Sequence, residues 1–289
     1  MEFRTGFAVG LLGLAVAFIT GRLWRRLWGT PAPILGALWV VGVLVAVYAV
    51  DRWDPVMIAG LGLLALAGIL FDFFHRVPWM RVLAAGPGAW LVTRQYAESQ
   101  LSGSIFWLMV ATVMIAAPLT VSSDRRLVPA GLGVVLWAIT LGGVYGTLPD
   151  TEEALVMVGV VAPLAFLAAS NLGRLGAIGG YASVGLLAWT TGQGGVGRPA
   201  SIIGALACLG VFLVIPAVRL VDKTPGWREL FMVHLAAVFT SSRVAGLRTD
   251  LLEAAGIASG ALAVSFLALV LFSPRPDSVT ALDSRATPS

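Results

Sequence analysis

The chain has few charged residues, one cysteine and two histidines, and each scarcity excludes a class of protein. Charged residues make up 12% of the 289 positions, about half of what a soluble domain of this size carries. Cys208 lies inside an apolar run, so neither a disulfide framework nor a cysteine-rich metal cluster is expected. The histidines, His75 and His234, have no companions at metal-ligand spacing. An ordinary soluble domain and a zinc-binding module are therefore both disfavoured.

Motifs that hold nucleotides are missing as well. The sequence contains neither GxxxxGK[ST] nor a GxGxxG that follows a strand. The glycine-rich stretch at residues 192–199 is interpreted as a flexible turn. The formal net charge of +4 does not indicate a nucleic-acid partner, because basic residues in membrane proteins mark the cytoplasmic loops. No nucleic acid is expected to bind.

Apolar runs dominate what is present. Hydrophobic residues make up 58% of the chain, and runs of about 20 residues, the length that crosses a bilayer as a helix, recur along its whole length. These runs predict an all-α, polytopic integral membrane protein with about ten transmembrane helices. The predicted spans cover roughly residues 6–21, 33–50, 55–73, 82–93, 103–121, 127–147, 153–170, 177–192, 199–218 and 250–272.

The distribution of basic residues predicts the orientation of these spans. Most of the 19 basic residues fall in alternate loops, which places those loops inside and both termini outside. Residues 1–272 then form one transmembrane helical domain, whose inner loop 219–249 carries an interfacial helix. Residues 273–289 form a disordered polar tail. The expected location is the bacterial plasma membrane, as a multi-pass protein.

The stretch GILFDFFHRVPWMRVL (68–83) contains the most informative acidic residue, Asp72. An aspartate at the end of a membrane-length helix is costly unless it is paired or used. One interpretation is an interfacial charge paired with Arg76 at the i+4 position. The other is a functional site, to which Asp124 and His234 at other inner helix ends would contribute.

The same stretch resembles the polyprenyl-phosphate hexosamine-1-phosphate transferases of the MraY/WecA type. In that family a Gly-x-x-Asp-Asp segment is followed by Pro-x-x-Lys/Arg-x-Leu, and here Gly68 to Asp72 is followed by Pro78 to Leu83. Phe71 stands in the place of the first aspartate, and Asp72 matches the second. The resemblance implies a ten- or eleven-span, MraY-like bundle that transfers a phospho-sugar from a UDP-sugar to a lipid phosphate with Mg²⁺.

Three further segments resemble the family in position but lack most of its acids and histidines. Asn171 is in place, yet Gly180-Tyr181 stands where the family has a Gly-Asp motif. Asp124 is the one acid left in the loop after the fifth span, and His234 is at most the first residue of a His-x-His-His motif. Because Mg²⁺ needs carboxylate oxygens and phosphoryl transfer needs the metal, these departures favour a catalytically silent relative.

We therefore expect a binding, regulatory or scaffold subunit of cell-envelope assembly, without cofactor or metal. Asp72, Asp124 and His234 would be remnants of a catalytic site. Five arginines would bind a lipid phosphate, although the positive-inside bias alone also explains them. They are Arg76, Arg81, Arg125, Arg126 and Arg174. The expected partners are membrane lipids, among them a polyprenyl phosphate, and another envelope-assembly protein or a second copy of the chain.

Two alternatives stay open at this point. The first is a divergent active transferase that moves a sugar-1-phosphate from a UDP-sugar to undecaprenyl phosphate, with Asp72 as an Mg²⁺ ligand. The second is a small lipid or solute transporter. The near absence of charges inside the apolar runs counts against the transporter, because such charges usually mark a transport path.

Overall fold

The computed structural model describes residues 54–71, 77–98, 103–120, 176–195, 220–223 and 250–274, together with single positions in residues 8–41 and 214–218. This described part is helical and contains no strand. Six helices are defined: α1 (Pro55–Leu70), α2 (Pro78–Ala84), α3 (Gly86–Glu98), α4 (Gly103–Thr120), α5 (Gly176–Gly195) and α6 (Leu251–Phe272).

Helix α1 begins at an aspartate–proline pair. The Asp54 carboxylate accepts hydrogen bonds from the backbone N–H groups of Val56 and Met57 at 2.7 and 3.2 Å, which satisfies two donors that the helix itself cannot pair. Pro55 occupies the first helical position, where its missing N–H costs nothing. The start of α1 is therefore determined by its local sequence, Asp54-Pro55.

Helices α2 and α3 follow one another directly, with one break in the hydrogen bonding at Ala85. The Ala85 N–H donates to the Val82 carbonyl at 3.2 Å, and regular bonding resumes when Ala89 donates to Ala85 at 2.8 Å. Pro87, the second residue of α3, has no N–H with which to continue the α-helical ladder. The predicted span 82–93 thus coincides with a broken helix.

Helix α5 is the centre of a four-part cluster. It packs against α1, α3 and α4, although more than 50 residues separate it from the nearest of them in sequence. Every position from 179 to 189 whose side chain is described is buried. Gly68 allows the close approach of α1, since a Cβ at this position would lie 2.6 Å from the Ala177 carbonyl oxygen. At its described positions, the apolar character of α5 is explained by contact with protein.

Helix α6 is much less buried than α5. The Asp250 carboxylate accepts from the Leu252 N–H at 2.9 Å and caps its first turn. Near its other end, Leu269 forms a small buried cluster with Val218, flanked by Phe266 and Val214. Only 17% of its most apolar 18-residue window is buried. Most of this helix therefore offers apolar side chains to its surroundings.

The prediction of about ten transmembrane helices in an MraY-like bundle is wrong. Among the described residues, one helix is long and apolar enough to cross a membrane, Leu252–Phe272. The apolar helices Pro55–Leu70 and Phe106–Leu119 are shorter, and α5, although 20 residues long, is not apolar enough. The predicted topology, with both termini outside, depended on the count of ten and falls with it.

The remaining predicted segments lie outside the described residues. Spans 127–147 and 153–170 are entirely outside, and spans 6–21, 33–50 and 199–218 are represented by single positions. The predicted interfacial helix of the inner loop 219–249 is also outside, since only residues 220–223 of that loop are described. The same holds for the polar tail from residue 275 onward.

Candidate functional site

The candidate site lies where the end of α1, the first turn of α2 and the first turns of α5 meet. Phe71 caps the C-terminal end of α1. Pro78 starts α2 at its first position, after Val77 in an extended conformation, and this sets Arg81 one turn into the helix. Gly176 starts α5 with a left-handed backbone (φ 66°), which glycine adopts without steric cost. Tyr181 follows in the second turn of α5.

Phe71, Arg81 and Tyr181 touch one another, and we call these three residues the aromatic junction. The rings of Phe71 and Tyr181 meet edge to face, with centroids 6.0 Å apart and an interplanar angle of 76°. The guanidinium carbon of Arg81 lies 3.9 Å from the centre of the Phe71 ring. The Tyr181 hydroxyl donates to the Arg81 backbone carbonyl at 3.0 Å. The junction thus joins α2 to α5 across 100 residues of sequence.

The positive charge of Arg81 lies in a largely buried part of the protein. Tyr181 is fully buried, Phe71 is 9% exposed, and Arg81 is half-buried. Stacking on an aromatic face stabilises a guanidinium by about 0.5–2 kcal/mol, more as it is desolvated. The Arg81 Nε is buried without a hydrogen-bond partner, at a cost of about 1–3 kcal/mol. The junction therefore holds a positive charge that retains an unsatisfied donor.

The residues of the junction do not fit the Mg²⁺ ion that the transferase resemblance implies. Mg²⁺ requires oxygen ligands, usually carboxylates, in octahedral geometry. Two of the three side chains at the junction are aromatic, and the third is a cation. The Tyr181 hydroxyl is engaged with the Arg81 carbonyl. No group of three metal-ligating side chains occurs among the described residues. We derive no chemical step through a metal at this position.

Of the residues predicted for the site, Arg81 is the one whose side chain is described. The others lie outside the described residues, so their distances from the junction are not defined. They are Asp72, Arg76, Asp124, Arg125, Arg126, Arg174 and His234.

The Tyr181 contacts were not predicted from the sequence. The resemblance to the transferases indicates only that Tyr181 stands where the family has an aspartate. No local pattern in the sequence indicates that Tyr181 would contact Phe71, or that its hydroxyl would bond to the carbonyl of residue 81.

No protein-family model matches the chain, and no curated protein matches it. The resemblance to the MraY/WecA-type transferases rests on the segments 68–83 and 171–184 and on loop positions, and it stays a prediction. The geometry of the aromatic junction does not depend on the resemblance. It defines a buried aromatic pair with one stacked guanidinium, whatever the ancestry of the chain.

Proposed function

We propose that the chain is a membrane-anchored protein that binds the phosphate of a polyprenyl lipid without transferring a sugar phosphate. It would serve as a binding, regulatory or scaffold subunit of cell-envelope assembly in the bacterial plasma membrane. One observation carries the proposal: Phe71 and Tyr181 occupy two of the three positions where the resemblance expects aspartates, Asp72 being the third, and the rings of Phe71 and Tyr181 are in contact. A site that would hold two carboxylates in a transferase holds an aromatic pair here.

Arg81 supplies the charge that a metal would otherwise supply. A guanidinium binds phosphate oxygens through charge-assisted and often paired hydrogen bonds. The Nε–H of Arg81 is buried and lacks an acceptor, and a shift of the guanidinium would bring this donor to such an oxygen. Phosphoryl transfer needs in addition a metal-neutralised leaving group and a positioned nucleophile, and two rings provide neither. The arrangement favours binding over catalysis.

The membrane location is supported by α6. A helix of 22 residues is about 33 Å long, which matches the hydrocarbon thickness of a bilayer. An apolar helix in the core of a soluble protein would be mostly buried, whereas most of α6 is not. A lipid environment removes the cost of exposing its side chains to water. A lipid-linked phosphate would be available to a protein anchored in this way.

The test combines lipid analysis with an activity assay on the full chain in mild detergent. Mass spectrometry of the extracted lipids should find a polyprenyl phosphate with the wild-type protein. Arg81→Gln should lose most of it, because a hydrogen bond to a charged group contributes about 1.5–3 kcal/mol. Arg94→Gln is the matched control, an exposed arginine of α3, and should retain the lipid. The Tyr181 bond to residue 81 uses the backbone carbonyl, so Arg81→Gln keeps this contact.

The activity arm tests the alternative of a divergent transferase. Wild-type protein with Mg²⁺, undecaprenyl phosphate and a panel of UDP-sugars should release no UMP. Release of UMP that disappears in Asp72→Ala would overturn the proposal in favour of an active enzyme. Equal lipid content in wild type and Arg81→Gln, or no polyprenyl lipid in either, would contradict the assignment of Arg81.

A further inference from the structure

A second polar contact lies at the C-terminal end of α6, separate from the aromatic junction. The Lys223 ammonium donates to the Ser273 backbone carbonyl at 3.0 Å. The two residues are brought together because Val218 and Leu269 pack in one buried cluster, and because the turn 220–222 closes with Asp222 in a left-handed conformation (φ 52°). Lys223 thereby places a cation beside the negative end of the helix dipole.

Ser273 contributes a buried hydroxyl that has no partner. Its side chain is 2% exposed, and its Oγ makes no hydrogen bond. Buried polar groups in proteins are almost always paired, so this hydroxyl is an exception that requires an explanation. A lysine ammonium carries three donors, of which the Ser273 carbonyl takes one. An ammonium and an unpaired hydroxyl are thus adjacent, and both can donate to an anionic oxygen.

Exposed apolar residues closely precede both members of this pair in the sequence. On the turn these are Leu220, 87% exposed, and Val221, and at the end of α6 they are Leu271 and Phe272. An apolar surface beside a cation and a hydroxyl donor is complementary to an amphiphile with an anionic head. If α6 crosses the bilayer, its end lies at the depth of the lipid phosphates.

We propose that Lys223 and Ser273 form a binding site for the phosphodiester group of an anionic phospholipid. The Lys223 ammonium pairs with a phosphate oxygen, and a χ1 rotation brings the Ser273 hydroxyl to the same group. The acyl chains lie on the exposed apolar residues. Since an exposed acidic residue, Asp222, directly precedes the lysine, a phosphodiester with one negative charge fits better than a phosphomonoester with two. The site rests on the membrane location proposed above and not on Arg81.

The test uses the fact that Lys223 is the one lysine of the chain. The full chain in neutral detergent is treated with an amine-reactive acylating ester, and the rate at Lys223 is followed by peptide mass spectrometry. Three soluble probes are compared: dihexanoyl-phosphatidylglycerol, inorganic phosphate and dihexanoylglycerol. The phospholipid should slow acylation of Lys223 in a saturable way. Inorganic phosphate should need a far higher concentration, and dihexanoylglycerol should give no protection.

A pair of serine variants identifies the second donor. Ser273→Ala should weaken protection by the phospholipid about 2- to 10-fold, as for one neutral hydrogen bond. Ser259→Ala, an exposed serine in the same helix, should leave protection unchanged.

Absence of protection by the phospholipid in the wild type would overturn the site. Equal protection by inorganic phosphate or by dihexanoylglycerol would overturn its assignment to a phospholipid. Because this readout does not involve Arg81, its failure would leave the polyprenyl-phosphate proposal standing, and the reverse also holds.

Discussion

Helices α5 and α6 are apolar and similar in length, yet they lie in opposite environments. α5 has 20 residues and α6 has 22. Every described side chain of α5 from 179 to 189 is buried against other helices. In α6, by contrast, Val264 is 66% and Leu267 55% exposed. α5, the less apolar of the two helices, thus contributes to a protein core, whereas α6 presents an exposed apolar surface.

The difference explains why counting apolar runs overestimated the number of membrane spans. Hydropathy reports the preference of a helix to leave water, and it does not report whether protein or lipid replaces the water. A helix that is apolar all round can be either a core helix or a membrane span. Burial shows that the described side chains of α5 pack against protein, whereas the low burial of α6 makes it a candidate for the membrane.

The largest expected loss of stability comes from Tyr181→Ala in α5. The substitution removes a fully buried ring, its contact with Phe71 and its hydrogen bond to Arg81. Truncation of a large buried aromatic side chain costs about 3–5 kcal/mol. We expect a strongly lowered unfolding midpoint in detergent, measured by thermal denaturation. Trp79→Ala, at a position 61% exposed, is the control and should change little. Equal losses in both variants would contradict a protein-packed α5.

The next substitution in order of expected effect, Val264→Arg, tests whether α6 lies in lipid. Val264 is near the middle of the helix and exposed, so Val264→Arg would be nearly neutral in water. At the centre of a bilayer an arginine costs about 2.5–3.5 kcal/mol on insertion scales. We expect a marked loss of alkali-resistant membrane association. Leu252→Arg, at the exposed start of the helix, should have a much smaller effect. Identical behaviour of the two arginine variants would place α6 outside the membrane.

The smallest of the three effects concerns the fit of α1 against α5. A Cβ at Gly68 would lie 2.6 Å from the Ala177 carbonyl oxygen, whereas a Cβ at Gly62 would have no neighbour within 4 Å. Gly68→Ala should therefore destabilise the cluster by about 1–3 kcal/mol through overpacking. Gly62→Ala should stabilise it slightly, by about 0.5–1 kcal/mol, because alanine is the better helix former. Thermal denaturation of both variants measures the difference, and a stabilising Gly68→Ala would contradict the close approach.

The bounds of the helices could be predicted from the sequence more accurately than whether protein or lipid surrounds them. The predicted segment 55–73 corresponds to helix Pro55–Leu70, and 250–272 corresponds to Leu251–Phe272. These bounds are encoded locally, by Asp54 and Asp250 as N-caps and by the length of the apolar runs. Whether an apolar helix meets protein or lipid depends on contacts between distant segments, which no local pattern records.

The candidate site shows the same limit. Arg81 could be proposed from its position after Pro78, in a segment that resembles a known motif. Its stacking on Phe71 and its link to Tyr181 arise from tertiary packing. Partners that are 10 and 100 residues away from Arg81 converge on it, and single-sequence periodicity carries no information on such pairs. The aromatic junction therefore had to be found in the structure.

The most direct measurement is the equilibrium binding of undecaprenyl phosphate to the purified full chain, with Mg²⁺ and with EDTA. If a guanidinium stacked on Phe71 holds the phosphate in place of a metal, the Kd should be the same in both conditions. Arg81→Gln should raise it about 10- to 100-fold. Binding that requires Mg²⁺ and is indifferent to Arg81→Gln would contradict the central claim.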